Sequence, residues 1–299
     1  MKVLVSGSTG LIGSALVRDL AGEGYIVTRL VRPSSERGKD AVLWDPGKGT
    51  VDLDGLAGHD AVVHLAGENI AGSSWTPKRK ALIRDSRVGG TRLLCESLQR
   101  LARPPGTLVC ASAVGYYGDH GRELLREGNP PGKGFLSEVC REWEEVTGEA
   151  ARKGVRVVNL RIGMVLSAEG GALAKMLPAF RAGAGARIGS GEQYMSWIAL
   201  SDLVGVIRHA LATDSLAGPV NAVSPHPVTN REFTKTLGRF LGRPTIAALP
   251  AFAARLLFGE MANELLLASA RAEPAKLLAS GYRFRLPDLE GALRSLLGK

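Results

Sequence analysis

The stretch Lys2-Val3-Leu4-Val5-Ser6-Gly7-Ser8-Thr9-Gly10-Leu11-Ile12-Gly13-Ser14-Ala15-Leu16 opens the chain. Val3-Leu4-Val5 has the composition of a short buried strand, and Leu11, Ile12, Ala15, Leu16 and Leu20 recur at helical spacing. Three glycines separate the two patterns. Gly7 permits a tight turn, Gly10 lets a pyrophosphate approach the backbone, and Gly13 lets the helix pack close to the strand. The free amide groups at the helix start then face the phosphates. The spacing is G-x-x-G-x-x-G, not the wider-known G-x-G-x-x-G, so its weight comes from its place between a strand and a helix. It predicts a dinucleotide held by Gly7, Ser8, Thr9, Gly10, Leu11, Ile12 and Gly13, against the plainer reading of a ligand-free turn.

Beyond this unit, apolar runs alternate with helical patterns. Strands are predicted at Lys2–Ser6, Ile26–Val31, Ala61–Ala66, Thr107–Ser112, Val155–Leu160 and Val220–Val223, with a weaker one at Ala41–Trp44. Helices are predicted at Leu11–Gly22, Pro77–Leu101, Phe135–Lys153 and Ser201–Ala212. That alternation implies an α/β fold, a doubly wound parallel sheet of Rossmann type with helices on both faces. Its ligands bind at the carboxyl edge, near the switch point. After Leu166 the pattern changes, because Ser167–Ser196 is rich in Gly and Ala and shows no strand alternation until its end. From about Pro225 the chain reads as mostly helical. Thr229-Asn230-Arg231-Glu232 forms a capping box, and Pro250–Ala270 and Asp288–Leu297 are further helices. The expected division is a dinucleotide-binding domain over 1–166 plus about 201–224. A smaller, mostly helical domain over about 167–200 plus 225–299 covers the open edge of the sheet.

The 299 residues are 45% hydrophobic and 22% charged, an ordinary globular balance. No apolar stretch approaches the roughly 20 residues that span a bilayer, and Gly7 to Gly13 interrupt any signal-peptide core. Cys95, Cys110 and Cys140 are scattered and lack metal-ligand spacing, which fits reduced thiols in a cytoplasmic protein and no bound metal. The formal charge of +9 raises the question of nucleic acid. The densest basic cluster, Lys78-Arg79-Lys80 with Arg84 and Arg87, falls on a predicted helix that also carries Asp85, and a solvated helix face explains it better. The apolar stretches Phe252–Phe258 and Leu265–Leu267 read as small-domain core, with a partner face as the alternative. Any such partner is expected to be a second copy, a homodimer.

Five landmarks now stand in order: the glycine turn at 7–13, Asp60-Ala61-Val62-Val63-His64-Leu65-Ala66-Gly67, Ala111-Ser112-Ala113-Val114-Gly115-Tyr116-Tyr117-Gly118, Leu160-Arg161-Ile162-Gly163, and Trp197-Ile198-Ala199-Leu200-Ser201-Asp202. Together they resemble the extended short-chain dehydrogenase/reductases, the group of the nucleotide-sugar epimerases, over almost the whole chain. The atypical subgroup called "epimerase family protein" is similar in further marks: His64 through Ile70, Ser86-Arg87-Val88, Gly189 through Gln193, and Gly242-Arg243-Pro244. The resemblance implies a nicotinamide dinucleotide and a small-molecule substrate that it does not name. It also implies that Ala66 and Gly67, beside Leu65, line the cofactor's ribose. Read from the residues alone, small side chains after a buried strand fit tight packing equally well.

The second strand ends in Arg32-Pro33-Ser34-Ser35, and no carboxylate stands between positions 25 and 35. An enzyme using NAD places Asp or Glu here for the ribose hydroxyls, whereas an Arg accommodates the 2′-phosphate of NADP. Arg32 offers a fork of donors and Ser34 and Ser35 add hydroxyls, so NADP is expected over NAD.

The chemistry is where the chain departs from the resemblance. The family's reaction uses a Tyr and a Lys four residues apart on the helix after the fifth strand, with a Ser that positions the substrate oxygen. Here that helix reads Phe135-Leu136-Ser137-Glu138-Val139-Cys140-Arg141-Glu142-Trp143-Glu144, with no Tyr and no Lys. Leu136, Val139, Cys140 and Trp143 instead form an apolar stripe. A phenol of pKa about 10 is a poor base at neutral pH without a nearby cation. Ser112, one residue from where an ungapped alignment places the family's Ser, and Tyr116 and Tyr117 are the candidate catalytic groups. One of the two tyrosines is expected to be packing. Glu68, Asn69, Arg161, Gln193 and Trp197 are candidate substrate contacts; Trp75 and Lys133 are weaker ones, and His64 reads as a core histidine. The expected function is an NADP-dependent oxidoreductase or epimerase-like enzyme with an atypical acid–base set. A non-catalytic NADP-binding sensor or scaffold is the alternative.

Overall fold

A computed structural model describes residues 1–33 and 41–298. Eight strands form one sheet: β1 (Lys2–Ser6), β2 (Ile26–Val31), β3 (Ala41–Asp45), β4 (Thr50–Val51), β5 (Ala61–His64), β6 (Thr107–Ala113), β7 (Arg156–Ile162) and β8 (Gly218–Ala222). Their order is β8-β7-β6-β5-β1-β2-β3-β4. Every pair is parallel except the short β3–β4 edge. β1 lies between β5 and β2, so the chain reverses its direction of travel across the sheet at β1. This is the Rossmann-type, doubly wound architecture, and its switch point falls at the glycine turn.

Strand alternation divides the core in two. Val3, Val5, Val158 and Leu160 face α1 (Leu11–Gly22), which contributes Leu16 and Leu20. Leu4, Val62, Leu108 and Cys110 face the opposite side. Pro77–Leu101, predicted as one helix, is three segments: α2 (Pro77–Arg84), a π-helical turn at Asp85–Gly89, and α3 (Gly90–Gln99). A π turn inserts a residue and re-phases the helix face, which a fixed helical period cannot reveal. Leu94, Cys95 and Leu98 of α3 pack with Trp143, Val146 and Ala150 of α4 (Phe135–Ala151) on that second face.

The stretch read as lacking alternation holds α5 (Gly171–Arg181) and short strands at Ala186–Ile188 and Tyr194–Met195, before Trp197–Ala199. α6 (Leu200–Ala212) returns to the α1 face of the sheet. The capping box forms at the start of α7 (Asn230–Leu241): the Thr229 side chain accepts from Glu232 N–H, and the Glu232 carboxylate accepts from Thr229 N–H at 2.7 Å. Leu173, Leu177, Phe180, Phe233, Leu237 and Leu293 then build a separate core away from the sheet. Pro250–Ala270 is not one helix but Ala251–Phe258 followed by a π-helical turn at Ala262–Leu267. Phe252, Leu256 and Leu257 are 72%, 85% and 64% exposed, so the expectation that they fill the small core is corrected. Among the described residues, no helix is long and apolar enough to cross a membrane.

Candidate functional site

The carboxyl ends of β1 and β5 lie side by side, in register from Val3–Ala61 to Ser6–His64. Gly7 has φ +66°, and a Cβ there would stand 2.7 Å from Leu65 C and 2.8 Å from Ala66 N. A Cβ on Gly13 would meet Gly7 O at 2.1 Å. The first and third glycines are therefore required by backbone on both sides, and Gly13 packs against the turn itself rather than the strand. Gly10 N–H closes the turn onto Gly7 O at 3.0 Å, and Ser14 N–H bonds Gly10 O at 2.9 Å to start α1. Gly10 is the cap residue and brings no side chain to the first-turn amides, so the helix N-terminus faces the edge uncovered. Beside it, the Ser8 hydroxyl is buried with no hydrogen-bond partner. An unpaired buried hydroxyl at an open helix N-terminus, in a turn with no room for side chains, suits a phosphate.

Thr9 is exposed, Leu11 lies against Gly170 and Gly171, and Ile12 packs into the sheet core. Arg32 is exposed at the end of β2, with no ion pair among the described residues. Ser34 and Ser35 lie outside the described residues.

Ser6 ties the two loops together. Its Oγ accepts from Leu65 N–H at 3.1 Å and Ala66 N–H at 3.3 Å, and lies 2.6 Å from His64 Nδ1. With both lone pairs engaged, the hydroxyl donates to Nδ1, so the imidazole proton sits on Nε2. His64 Nε2 has no partner, and the ring meets Trp44 edge-on at 5.6 Å. Complete burial lowers the His64 pKa from 6.5 to about 4. The imidazole is neutral in the fold and protonates more readily in the unfolded chain, so its contribution is whole above pH 6.5 and is lost as pH falls toward 4. The full span corresponds to about 3 kcal/mol. His64→Asn keeps an acceptor for Ser6 and does not titrate. Urea unfolding between pH 7 and pH 4 is therefore expected to show a shallower loss of stability for the variant; parallel losses in both proteins refute this role.

Ser112 and Tyr117 turn away from a substrate role. Ser112 Oγ donates to Glu144 Oε1 at 2.7 Å, on the α4 side of the sheet. Glu144 forms a fork with Arg161, whose Nε and Nη2 donate at 2.9 and 2.8 Å. Arg161 Nη1 donates to Tyr117 Oη at 3.0 Å and to Glu127 O at 3.1 Å, and Tyr117 Oη donates to Asn221 Oδ1 at 2.7 Å. Tyr117 is fully buried, and burial raises its pKa. Tyr116 is half-buried, with its ring centroid 3.5 Å from the Arg161 guanidinium and edge-on to Tyr117. Burial raises the Tyr116 pKa and Arg161 opposes the rise, so the phenol is protonated at neutral pH, a donor rather than a base. Arg161, expected to meet substrate, is buried in this ion pair.

The altered helix is core, as its stripe predicts. Val139, Cys140 and Trp143 are buried, and Trp143 Nε1 donates to Thr91 Oγ1 at 2.7 Å. Burial pushes the Cys140 thiol up to about 12, which removes it as a nucleophile at neutral pH. Glu144 carries a signal that pattern-reading passed over: four residues after Cys140, it places a carboxylate on a buried stripe, and such a group requires a partner. Glu264 has no such signal. Its carboxylate accepts from Phe135 and Leu136 N–H, both at 3.1 Å, and so caps α4 from the far end of the chain.

The remaining candidates hold local structure. Glu68 pairs with Arg79 at 2.9 Å, and Asn69 Oδ1 accepts from Ala71 N–H at 2.9 Å. Gln193 Nε2 donates to Ile188 O and Leu266 O, and Trp197 is fully buried with its Nε1 on His226 O. The structure thus brings Arg161 together with Ser112 and both tyrosines, but places Gln193 and Trp197 in the packing of the smaller unit. Trp75 stacks edge-on against Phe135 at 5.3 Å, and Lys133 is exposed. In the basic cluster, Arg79, Lys80 and Arg84 pair with Glu68, Glu260 and Glu142.

Comparison with known proteins agrees with this geometry. Residues 3–222 match the NAD dependent epimerase/dehydratase family, and residues 249–296 match a domain of unknown function. An epimerase family protein of Mycobacterium bovis is 44% identical over 291 residues, covering 97% of this chain and 96% of its own. The crystal structure of human epimerase family protein SDR39U1 (isoform 2) with NADPH superposes with a TM-score of 0.90 at 35% identity, covering both chains fully. A nucleoside-diphosphate sugar epimerase from Corynebacterium glutamicum superposes with a TM-score of 0.83 at 37% identity, covering all of this chain and 58% of that one.

Proposed function

The chain belongs to the NAD dependent epimerase/dehydratase family, and from that premise we propose that it binds NADPH and acts as an oxidoreductase or epimerase-like enzyme on a small molecule. The observation that carries the reading is the cradle at residues 7–13, with Gly7 locked against Leu65 and Ala66 and Arg32 at the end of β2. The α1 N-terminus and Ser8 take the pyrophosphate, and Arg32 takes the 2′-phosphate. Residues 1–166 with 201–224 form the cofactor unit, and the remainder closes over its edge. A bound nicotinamide supplies hydride chemistry. Ser6 holds the loop after β5 in place, and Tyr116, protonated and beside Arg161, is the phenol that would donate a proton to a substrate oxygen. The human relative's structure with NADPH supports the same cofactor here.

A fluorescence titration tests this. NADPH is expected to bind more tightly than NADH, and Arg32→Ala is expected to remove most of that difference. Charge-assisted bonds to a phosphate predict a preference of about tenfold or more. Equal affinities in the unaltered protein would sink the Arg32 assignment.

A second reading is favoured by a specific observation: the Ser112 and Tyr117 hydroxyls are committed inside the fold, and α4 carries neither Tyr nor Lys. On that reading the protein is a non-catalytic NADPH sensor or scaffold. Consumption of NADPH across a panel of carbonyl substrates supports the enzyme, and tight binding with no turnover supports the sensor.

A further inference from the structure

A dinucleotide whose pyrophosphate sits at the start of α1 crosses the switch point. Arg32 marks the 2′-phosphate side at β2, so the nicotinamide half runs the other way, over the loop that follows β5. Arg87 stands there. Its guanidinium lies 3.4 to 3.6 Å from the position a Cβ on Gly67 would take, and faces the Trp143 ring at 5.3 Å. The side chain reaches this place from the π-helical turn Asp85–Gly89 rather than from α4.

Arg87 is half-buried, and its Nη1 donates to Ile83 O at 3.2 Å. It makes no ion pair within 4.0 Å among the described residues. The nearby carboxylate of Glu68 belongs to Arg79. Burial lowers the Arg87 pKa, and the Glu68 carboxylate opposes that shift. A guanidinium this enclosed, backed by an aromatic ring and short of acceptors, is built for a ligand with paired oxygens.

We propose that Arg87 binds the nicotinamide-side ribose of the dinucleotide, supplying from the π turn the cation that α4 lacks. The inference rests on the NADPH reading above. A ribose diol offers adjacent hydroxyl oxygens that accept from the guanidinium fork. Arginine keeps its proton, so this group orients the ribose and relays no proton, unlike a lysine.

The test compares two probes on the full-length protein, NADPH and 2′,5′-ADP, which retains the 2′-phosphate and lacks the nicotinamide half. Arg87→Met is expected to weaken NADPH by about tenfold to hundredfold, the worth of hydrogen bonds to a charged group. Its affinity for 2′,5′-ADP is expected to stay within about twofold, since that contact lies across the switch point. If circular dichroism shows that Arg87→Met does not fold, Arg87→Lys carries the same comparison with a smaller loss. Unchanged NADPH affinity overturns the proposal, and so does an equal loss for both probes, which marks a structural role. Failure of the unaltered protein to bind either probe overturns the dinucleotide reading itself.

Discussion

Gly13→Ala is expected to weaken NADPH binding by about a hundredfold and to destabilise the fold by about 1–3 kcal/mol. The added methyl would stand 2.1 Å from Gly7 O and 2.8 Å from Gly7 C and Ser8 Cα. All three are backbone atoms, and none can rotate away as a side chain does. Either α1 moves outward or the turn opens by about 1 Å, a misplacement of the size that costs a bound ligand its geometry. The turn is also coupled to β5, because Gly7 abuts Leu65 and Ala66, so the cradle cannot relax on that side. Gly22→Ala in the same helix is the control, since a Cβ there meets nothing within 4 Å. Fluorescence titration and thermal unfolding of the two variants decide the matter. NADPH affinity in Gly13→Ala equal to that of Gly22→Ala would show that the turn is not the cradle.

Glu144→Ala is expected to lower the unfolding free energy by about 3–5 kcal/mol, the usual cost of breaking a buried ion pair by removing one partner. The Arg161 and Glu144 side chains are 3% and 12% exposed, so water does not take over for the lost carboxylate. Arg161 would keep Tyr117 Oη and Glu127 O but lose its counter-charge, and Ser112 would lose its acceptor. Burial disfavours the charged guanidinium once the Glu144 carboxylate is gone, but arginine does not give up its proton in a protein, so Arg161 cannot escape by becoming neutral. Replacing both partners, Glu144→Leu with Arg161→Met, is expected to recover much of the loss, because no buried charge is then stranded. Urea unfolding of the single and double variants measures this. A single variant costing under about 1 kcal/mol would place the pair among exposed, weak salt bridges instead.

The ion pair also explains why the catalytic expectation at Ser112 moved. In a strand, neighbouring side chains leave opposite faces of the sheet, so a one-residue shift in alignment changes the face. Ser112 faces Glu144 and α4. The uncertainty of one position, harmless for locating the strand, decided the direction of the hydroxyl. The tyrosines differ for a related reason. They are adjacent in a 3-10 turn at Val114–Tyr117, and only one of them fits into the pocket made by Asn221, Leu125 and Ala272.

Other sites were legible in part. His64 reads as a core histidine from its strand, yet its bond to Ser6 joins residues 58 apart. Arg87 stands in a basic cluster that suggests a solvated helix face, and three of its neighbours do pair with surface carboxylates. The π turn sets Arg87 apart by moving it off their helical phase and toward Gly67.

The sequence by itself determined the parallel sheet, the glycine cradle after β1 and the loss of the Tyr and Lys pair from α4. Each of these is local: hydrophobic period, turn chemistry and residue identity act within a dozen positions of one another. Only the tertiary structure decided which hydroxyls remain for a substrate, which cations are already paired, and that Arg87 meets the loop after β5. Those answers depend on contacts between strands and helices far apart in the chain. A buried charge or hydroxyl takes its role from whichever distant partner satisfies it first.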